Sequence, residues 1–319
     1  MITVLCGGVG AARFLRALRA EGSVPTTDVV GVVNTADDTV LHGLSISPDL
    51  DTITYTLAGA IDPERGWGLV DETWTAMGAL ARYETVRPVG SSAAPTWFNL
   101  GDRDLATHFY RTARLGEGAR LTEVTGEITR AWGVGEQLIP MTDDRVATVV
   151  ELADGTSVSF QEYFVRLRHS VPVRAVRFAG ADRAVVQPRA ATAMRDADVV
   201  VIAPSNPIVS IGPLRALAGT DDLLASRRDS VVAVSPIVGG AALKGPADRM
   251  LLELGHDASV VGVARLYCDV ASTLVIDPLD AHLADAVEAV GMRCVVQPSV
   301  MSTPEVAAAL ARRVLDVAR

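Results

Sequence analysis

Five short stretches, residues 2–6, 29–33, 199–203, 231–234 and 274–276, are apolar at nearly every position instead of alternating with polar residues. Strands so continuous in Val, Ile and Leu are covered on both faces, as in a helix-flanked parallel sheet. Between them, apolar residues recur three or four apart at 11–20, 190–196, 280–290 and 304–317, and each spacing predicts a helix. The alternation predicts an α/β fold with a Rossmann-like, doubly wound, mainly parallel sheet. Residues 294–296 are expected to add an edge strand.

The middle of the chain has a different texture. Trp67, Trp74, Trp97 and Trp132 all fall between residues 62 and 181, together with a helical stretch at 105–115. Residues 146–160 are broken by Asp154-Gly155, the dipeptide of a tight hairpin turn, where glycine tolerates positive φ. Residues 62–181 are therefore expected to form an α+β subdomain inserted into a nucleotide-binding core of residues 1–61 and 182–319.

Composition narrows the function classes. The 319 residues are 49% hydrophobic and 21% charged, the usage of an ordinary globular chain. A formal net charge of −9 argues against nucleic acid as a partner, because binding to a phosphate backbone needs clustered positive charge. No apolar run approaches the roughly 18 residues of a membrane span. The N-terminal residues lack the basic region and long apolar stretch of a signal peptide, so the expected location is the cytoplasm, with no membrane partner. Cys6, Cys268 and Cys294 form no CxxC pair, and the histidines show no HExxH spacing, so neither a disulfide framework nor a zinc site is implied.

In open parallel sheets, ligands bind beyond the carboxyl ends of the strands, so the loop after each strand carries the chemistry. After the first comes Gly7-Gly8-Val9-Gly10-Ala11-Ala12-Arg13, a glycine turn into a helix, which suits a phosphate or, more blandly, tight packing. It is neither a GxGxxG nor a P-loop, and Asn34 stands where a nicotinamide site carries an acid. After the second strand come Asp37-Asp38 and then Pro48-Asp49-Leu50-Asp51. Carboxylates in such numbers suit a magnesium ion shared with substrate phosphates, or else cap helices on a solvated loop. Pro204-Ser205-Asn206-Pro207, continuing to Ser210, and Ser235-Pro236-Ile237, continuing to Lys244, are rigid polar loops after the next two strands. Lys244 is the lone lysine and could meet a phosphate. Asn99-Leu100-Gly101-Asp102-Arg103-Asp104 offers Arg103 to an anion, with His108 one turn onward, or is simply a capped helix start.

Six segments in this order closely resemble the 2-phospho-L-lactate transferase family of coenzyme F420 biosynthesis: the glycine turn, Asn34-Thr35-Ala36-Asp37-Asp38, Ser47-Pro48-Asp49-Leu50-Asp51-Thr52, Leu100-Gly101-Asp102-Arg103-Asp104, Pro204-Ser205-Asn206-Pro207 and Ser235-Pro236-Ile237. Arg65-Gly66-Trp67-Gly68, Asp71-Glu72-Thr73-Trp74 and Phe160-Gln161-Glu162 resemble the actinobacterial branch, which is described as using a phosphoenolpyruvyl donor. The resemblance implies a magnesium-dependent transfer from a guanosine diphosphate adduct to the terminal hydroxyl of the deazaflavin Fo, with release of GMP. It implies a homodimer and small-molecule substrates, with the inserted subdomain contributing to the deazaflavin site.

By the same resemblance, Asp38 and Asp51 are the expected catalytic and metal-binding residues, with Asp37 and Asp49 as alternates. Asp51, Asn99 and Arg103 are expected to contact the deazaflavin, and Gly7, Gly8, Gly10, Ser205, Asn206, Ser210 and Lys244 the guanosine diphosphate donor. Two departures are visible: archaeal relatives often carry Lys where Asn99 stands, and the usual Lys of the first helix is Arg13. Trp67 and Trp97 are candidates to stack on the acceptor, although core packing is the commoner use of a tryptophan.

Two other classes compete. A non-catalytic nucleotide-sugar-binding regulator of a gluconeogenesis-factor family shares the glycine turn and paired aspartates, but continues into a GGSSG-type loop where this chain has Thr39-Val40-Leu41-His42-Gly43. A nicotinamide-dependent dehydrogenase is disfavoured by Arg13 and Asn34.

Overall fold

The computed structural model describes residues 1–89, 91, 93 and 95–318. Seven strands pair in the order Arg293–Val296, Thr273–Ile276, Val231–Val234, Val199–Ile202, Ile2–Cys6, Val29–Val33, Gln137–Pro140, and every pairing is parallel. The reason for the unbroken apolar runs is visible in Ile2–Cys6. Its pleat sends Leu5 into the apolar cluster on one face and Ile2, Val4 and Cys6 into the cluster on the other. Thr3 shares Leu5's face and satisfies its buried hydroxyl by donating to the Ala193 carbonyl at 2.8 Å.

Helices cover both faces. Gly8–Glu21, Pro48–Leu57 and Pro304–Val317 pack one side through Phe14, Leu50 and Leu310. Pro188–Asp196, Val260–Tyr267 and Ala284–Ala289 pack the other through Ala193, Val263 and Val287. The predicted helices at 11–20, 190–196 and 304–317 are present. The one at 280–290 is split into a 3-10 segment, Pro278–Leu283, and a short α-helix, Ala284–Ala289. There Asp277 accepts from Leu279 N–H at 3.1 Å, and Asp280 is buried to accept from Gly239 N–H at 2.9 Å, which winds the first turn tightly.

The chain leaves Ile2–Cys6 toward Val29–Val33 on one side and returns to Val199–Ile202 on the other. That reversal opens a crevice beyond the carboxyl ends of these strands. Residues 62–181 are less separate than their sequence suggests. Within them, Gln137–Pro140 pairs with Val29–Val33 and forms one edge of the central sheet, so the division at residues 62 and 181 does not follow the sheet. Four residues with an exposed first position are too short to show a strand pattern. The same region holds a three-stranded antiparallel sheet in the order Ser157–Ser159, Ala147–Leu152, Val173–Ala179. Its hairpin turns at Asp154-Gly155 as expected, with Gly155 at φ +87°. Among the described residues no helix is long and apolar enough to cross a membrane.

Candidate active site

A cavity of about 740 Å³ lies in the crevice and is lined by loops from five strand ends and from the 62–181 region. Its floor is built by close backbone contact. Gly7 caps the helix Gly8–Glu21, and a Cβ on Gly10 would sit 2.0 Å from the Pro204 carbonyl oxygen, so no side chain fits. Ser205 Oγ donates to the Gly7 carbonyl at 2.7 Å, and Asn206 Oδ1 accepts from Ile208 N–H at 2.9 Å. The expected donor residues Gly7, Gly8, Gly10, Ser205, Asn206, Ser210 and Lys244 all line this one cavity. The Ser205 hydroxyl and Asn206 carbonyl are occupied in holding these loops in shape.

Beside the glycine turn stand two carboxylates. Buried Asn34 uses one amide nitrogen to donate to Asp37 Oδ2 at 3.2 Å and Asp49 Oδ2 at 3.0 Å. Asp49 also accepts from the Gly8 N–H. Asp37 Oδ1 is buried with no hydrogen-bond partner among the described residues. Burial, then the charge of Asp49, pushes the Asp37 carboxyl well above the ordinary range. Burial pushes Asp49 up to about 6, against the hydrogen bonds from Asn34 and Gly8. Two carboxylates that face the cavity with no basic partner among the described residues could hold a divalent ion. The orphaned oxygen does not single out this pair, since Asp38 Oδ1 is buried without a partner as well.

The expected metal pair, Asp38 and Asp51, is placed differently. Asp38 does not line the cavity and accepts from Ser47 Oγ at 2.7 Å. Adjacent residues in a turn point apart, so Asp37 faces the cavity and Asp38 does not. Asp51 lines the cavity, but both its oxygens are held by the buried guanidinium of Arg111, one through Nη1 at 3.1 Å and the other through Nη2. Asp49 and Asp51, two apart in Pro48–Leu57, lie roughly 200° apart around the helix and face different partners.

Arg111 carries no signal in the sequence. It lies in the helix Asp104–Gly116, one turn beyond His108, and looks like any arginine on an amphipathic helix. His108 Nδ1 lies 3.3 Å from Arg111 Nη1, and Nε2 lies 3.2 Å from Asp104 Oδ2. Tyr55 donates to Asp104 Oδ1 at 2.6 Å. Burial raises the Asp104 pKa, but the hydrogen bond and charge of His108 outweigh it and hold the carboxyl below its ordinary value.

Of the other expected acceptor contacts, Asn99 lines the cavity and Arg103 does not. Arg103 Nη1 donates to the Val70 carbonyl at 2.7 Å on the outside. The surrounding motif is an interlock: Glu72 accepts from the N–H groups of Arg103 and Asp104, each at 2.8 Å, and Asp102 caps the helix Thr75–Leu80 through Thr75 and Ala76 N–H, each at 2.9 Å. Trp67 lines the mouth at 41% exposure, its ring 5.8 Å from Trp74, with Arg65 over both. Trp97 also lines the cavity, 5.9 Å from Phe98.

Residues 2–298 match the family described as 2-phospho-L-lactate transferase CofD. The chain belongs to this family. A protein of Streptomyces griseus named phosphoenolpyruvate transferase is 43% identical over 99% of this chain and 98% of its own length. A phosphoenolpyruvate transferase of Mycolicibacterium smegmatis is 40% identical over 99% and 98%. A crystal structure from Bacillus halodurans, described as a member of the UPF0052 family, superimposes with a TM-score of 0.63 over 98% of both chains at 13% identity, a likeness of fold.

Proposed function

We propose that this protein is a transferase of coenzyme F420 biosynthesis that moves a phosphoenolpyruvyl group from its guanosine diphosphate adduct to the terminal hydroxyl of the deazaflavin Fo. The observation that carries this reading is the convergence, on one cavity, of the glycine turn, the Pro204–Ser210 loop, the Asp37–Asp49 pair, Asp51 with Asn99, and the exposed Trp67 ring. Family membership supports phosphoryl-type transfer, and relatives named phosphoenolpyruvate transferase favour the enolpyruvyl donor over the lactyl one.

In this reading the glycine turn and the N-terminus of Gly8–Glu21 receive the diphosphate, whose negative charge the helix dipole favours. Asp37 and Asp49 would hold a magnesium ion. When bound, such an ion neutralises charge on the bridging phosphate oxygens. Asp51, fixed by Arg111, accepts the hydrogen bond of the acceptor hydroxyl and takes up its proton as the new O–P bond forms. The bond between the acyl-side phosphorus and the GMP oxygen breaks, and GMP leaves with its electron pair. Such transfer needs mainly alignment and charge neutralisation, and no covalent nucleophile.

The test is mass spectrometry of the products formed from Fo with the enolpyruvyl and the lactyl adducts in parallel, with and without Mg²⁺. The expected outcome is dehydro coenzyme F420-0 with equimolar GMP, formed only with the ion present. Product from neither donor would favour the non-catalytic nucleotide-binding class instead.

A further inference from the structure

The cavity holds a second like-charged pair, opposite in sign to the first. Arg13 and Lys244 are the arginine and lysine side chains that line it among the described residues. The Arg13 side chain has no hydrogen bond or ion pair among the described residues. Lys244 Nζ donates at 3.1 Å to the Arg65 carbonyl, a neutral acceptor, and has no carboxylate partner among the described residues. Partial loss of water around Lys244 Nζ at the cavity wall, and then the nearby charge of Arg13, both depress the Lys244 pKa, although most of the residue's surface is exposed. None of the four acids that line the cavity supplies a counter-ion: Asp51 is neutralised by Arg111, Asp104 faces His108, and neither Asp37 nor Asp49 makes an ion pair with Arg13 or Lys244 among the described residues.

We propose that Arg13 and Lys244 form the carboxylate subsite of the transferred group, and that they hold the carboxylate of the enolpyruvyl or lactyl arm while the diphosphate lies at the glycine turn. The inference rests on the transferase reading and adds to it the part of the pocket that recognises the carboxylate of the enolpyruvyl or lactyl group. Arg13 stands five residues beyond Gly8 on one helix, about 7.5 Å along its axis. The acid pair meets the same helix at Gly8, because Asp49 accepts from its N–H. An anion that reaches both places needs one group at the helix N-terminus and another a few bonds away, as in a diphosphate esterified through the 2-oxygen of an enolpyruvyl or lactyl group whose carboxylate is free. Lys244 follows the hairpin in which Ile237–Val238 pairs with Ala241–Ala242, and rotation about the bonds of its long side chain suffices to exchange a carbonyl for a charged carboxylate. Charge-assisted bonds of this kind are about twice as strong as neutral ones, which favours the exchange.

The test uses titration calorimetry on the Mg²⁺-loaded protein with three probes: GDP, the lactyl adduct of GDP, and that adduct with its carboxylate masked as a methyl ester. Arg13 and Lys244 are both exposed, so Arg13→Gln, Lys244→Gln and the double variant are expected to melt as the parent does. Masking the carboxylate is expected to weaken binding to the parent about 30-fold, and the double variant is expected to erase that difference while changing GDP affinity less than about threefold. Equal loss for GDP and the adduct in the double variant overturns the proposal, because the pair then grips the diphosphate. Equal binding of acid and ester by the parent overturns it as well. A parent protein that binds neither GDP nor the adduct defeats the transferase reading itself, a result distinct from both.

Discussion

Asn34 holds a buried carboxylate, Asp37, and a half-buried one, Asp49, with a single amide group, and the energetic consequence falls on Asp49. With its folded-state pKa raised to about 6, this carboxyl adds stability below its ordinary value near 4 and loses it as pH rises through about 6. At pH 7.5 the metal-free protein therefore carries an unfavourable ionised group. Asp49→Asn is expected to raise the melting temperature of the metal-free protein by a few degrees at pH 7.5, an effect of about 1–2 kcal/mol that vanishes toward pH 4. The same variant is expected to lose transfer activity at least about 100-fold, since an amide is a poor magnesium ligand. Calorimetric melts at both pH values and a GMP-release assay check the two halves. A drop in melting temperature at pH 7.5 would mean that Asp49 is already compensated. Arg111 follows the opposite logic. Arg111→Met strands a buried carboxylate and is expected to cost about 3–5 kcal/mol, whereas adding Asp51→Asn should restore a large part of that. Denaturant unfolding of the two single variants and the double variant measures this coupling, and simple additivity would show that the pair is not the source. Asp51→Asn alone strands the buried Arg111 guanidinium in turn, so it is expected to lose stability by up to about 3–5 kcal/mol as well as most turnover.

At the scale of elements, the parallel strands are legible in the sequence because burial on both faces leaves no polar position to interrupt them. Gln137–Pro140 is not, since only its pairing with Val29–Val33 makes four residues a strand. Asp37 and Asp38 stand out as a pair, but the turn that aims one at the cavity and the other at Ser47 lies in backbone angles that residue names do not encode. Arg111 is invisible at this level because its burial depends on Asp51, 60 positions away. Among the glycines, sequence cannot separate packing from conformation, whereas structure can. Gly10→Ala pushes a methyl group into the Pro204 carbonyl, and since backbone must move on one side, GDP affinity is expected to fall at least about tenfold with a lower melting temperature. Gly78, inside the helix Thr75–Leu80, has open space around it, so Gly78→Ala is expected to stabilise by about 0.5–1 kcal/mol and leave GDP binding unchanged. Similar behaviour of the two variants in calorimetry would remove the loop contact as the reason for glycine at position 10.

On the scale of the whole molecule, the proposed function asks a chain of net charge −9 to bind a multiply charged anion, which needs local compensation. The floor of the cavity presents Asp37 and Asp49, and its mouth presents Arg13 and Lys244. In the proposed function the acid pair would repel the diphosphate in the absence of a divalent ion, and the ion would lack most of its oxygen shell without the diphosphate, so each ligand would prepare the site for the other. Such coupling is reciprocal: the factor by which Mg²⁺ strengthens GDP must equal the factor by which GDP strengthens Mg²⁺. Calorimetric titration of GDP with Mg²⁺ and after chelation, and of Mg²⁺ with and without GDP, is expected to give the same factor of about 10–100 in both directions. The coupling belongs to the acid pair, so it should collapse toward unity in Asp37→Asn, where one of two like charges and the orphaned oxygen are both removed. It should survive in Asp38→Asn, whose carboxylate lies behind the wall with Ser47. The reverse pattern, loss in Asp38→Asn and retention in Asp37→Asn, would return the metal to the residue that sequence alone suggested.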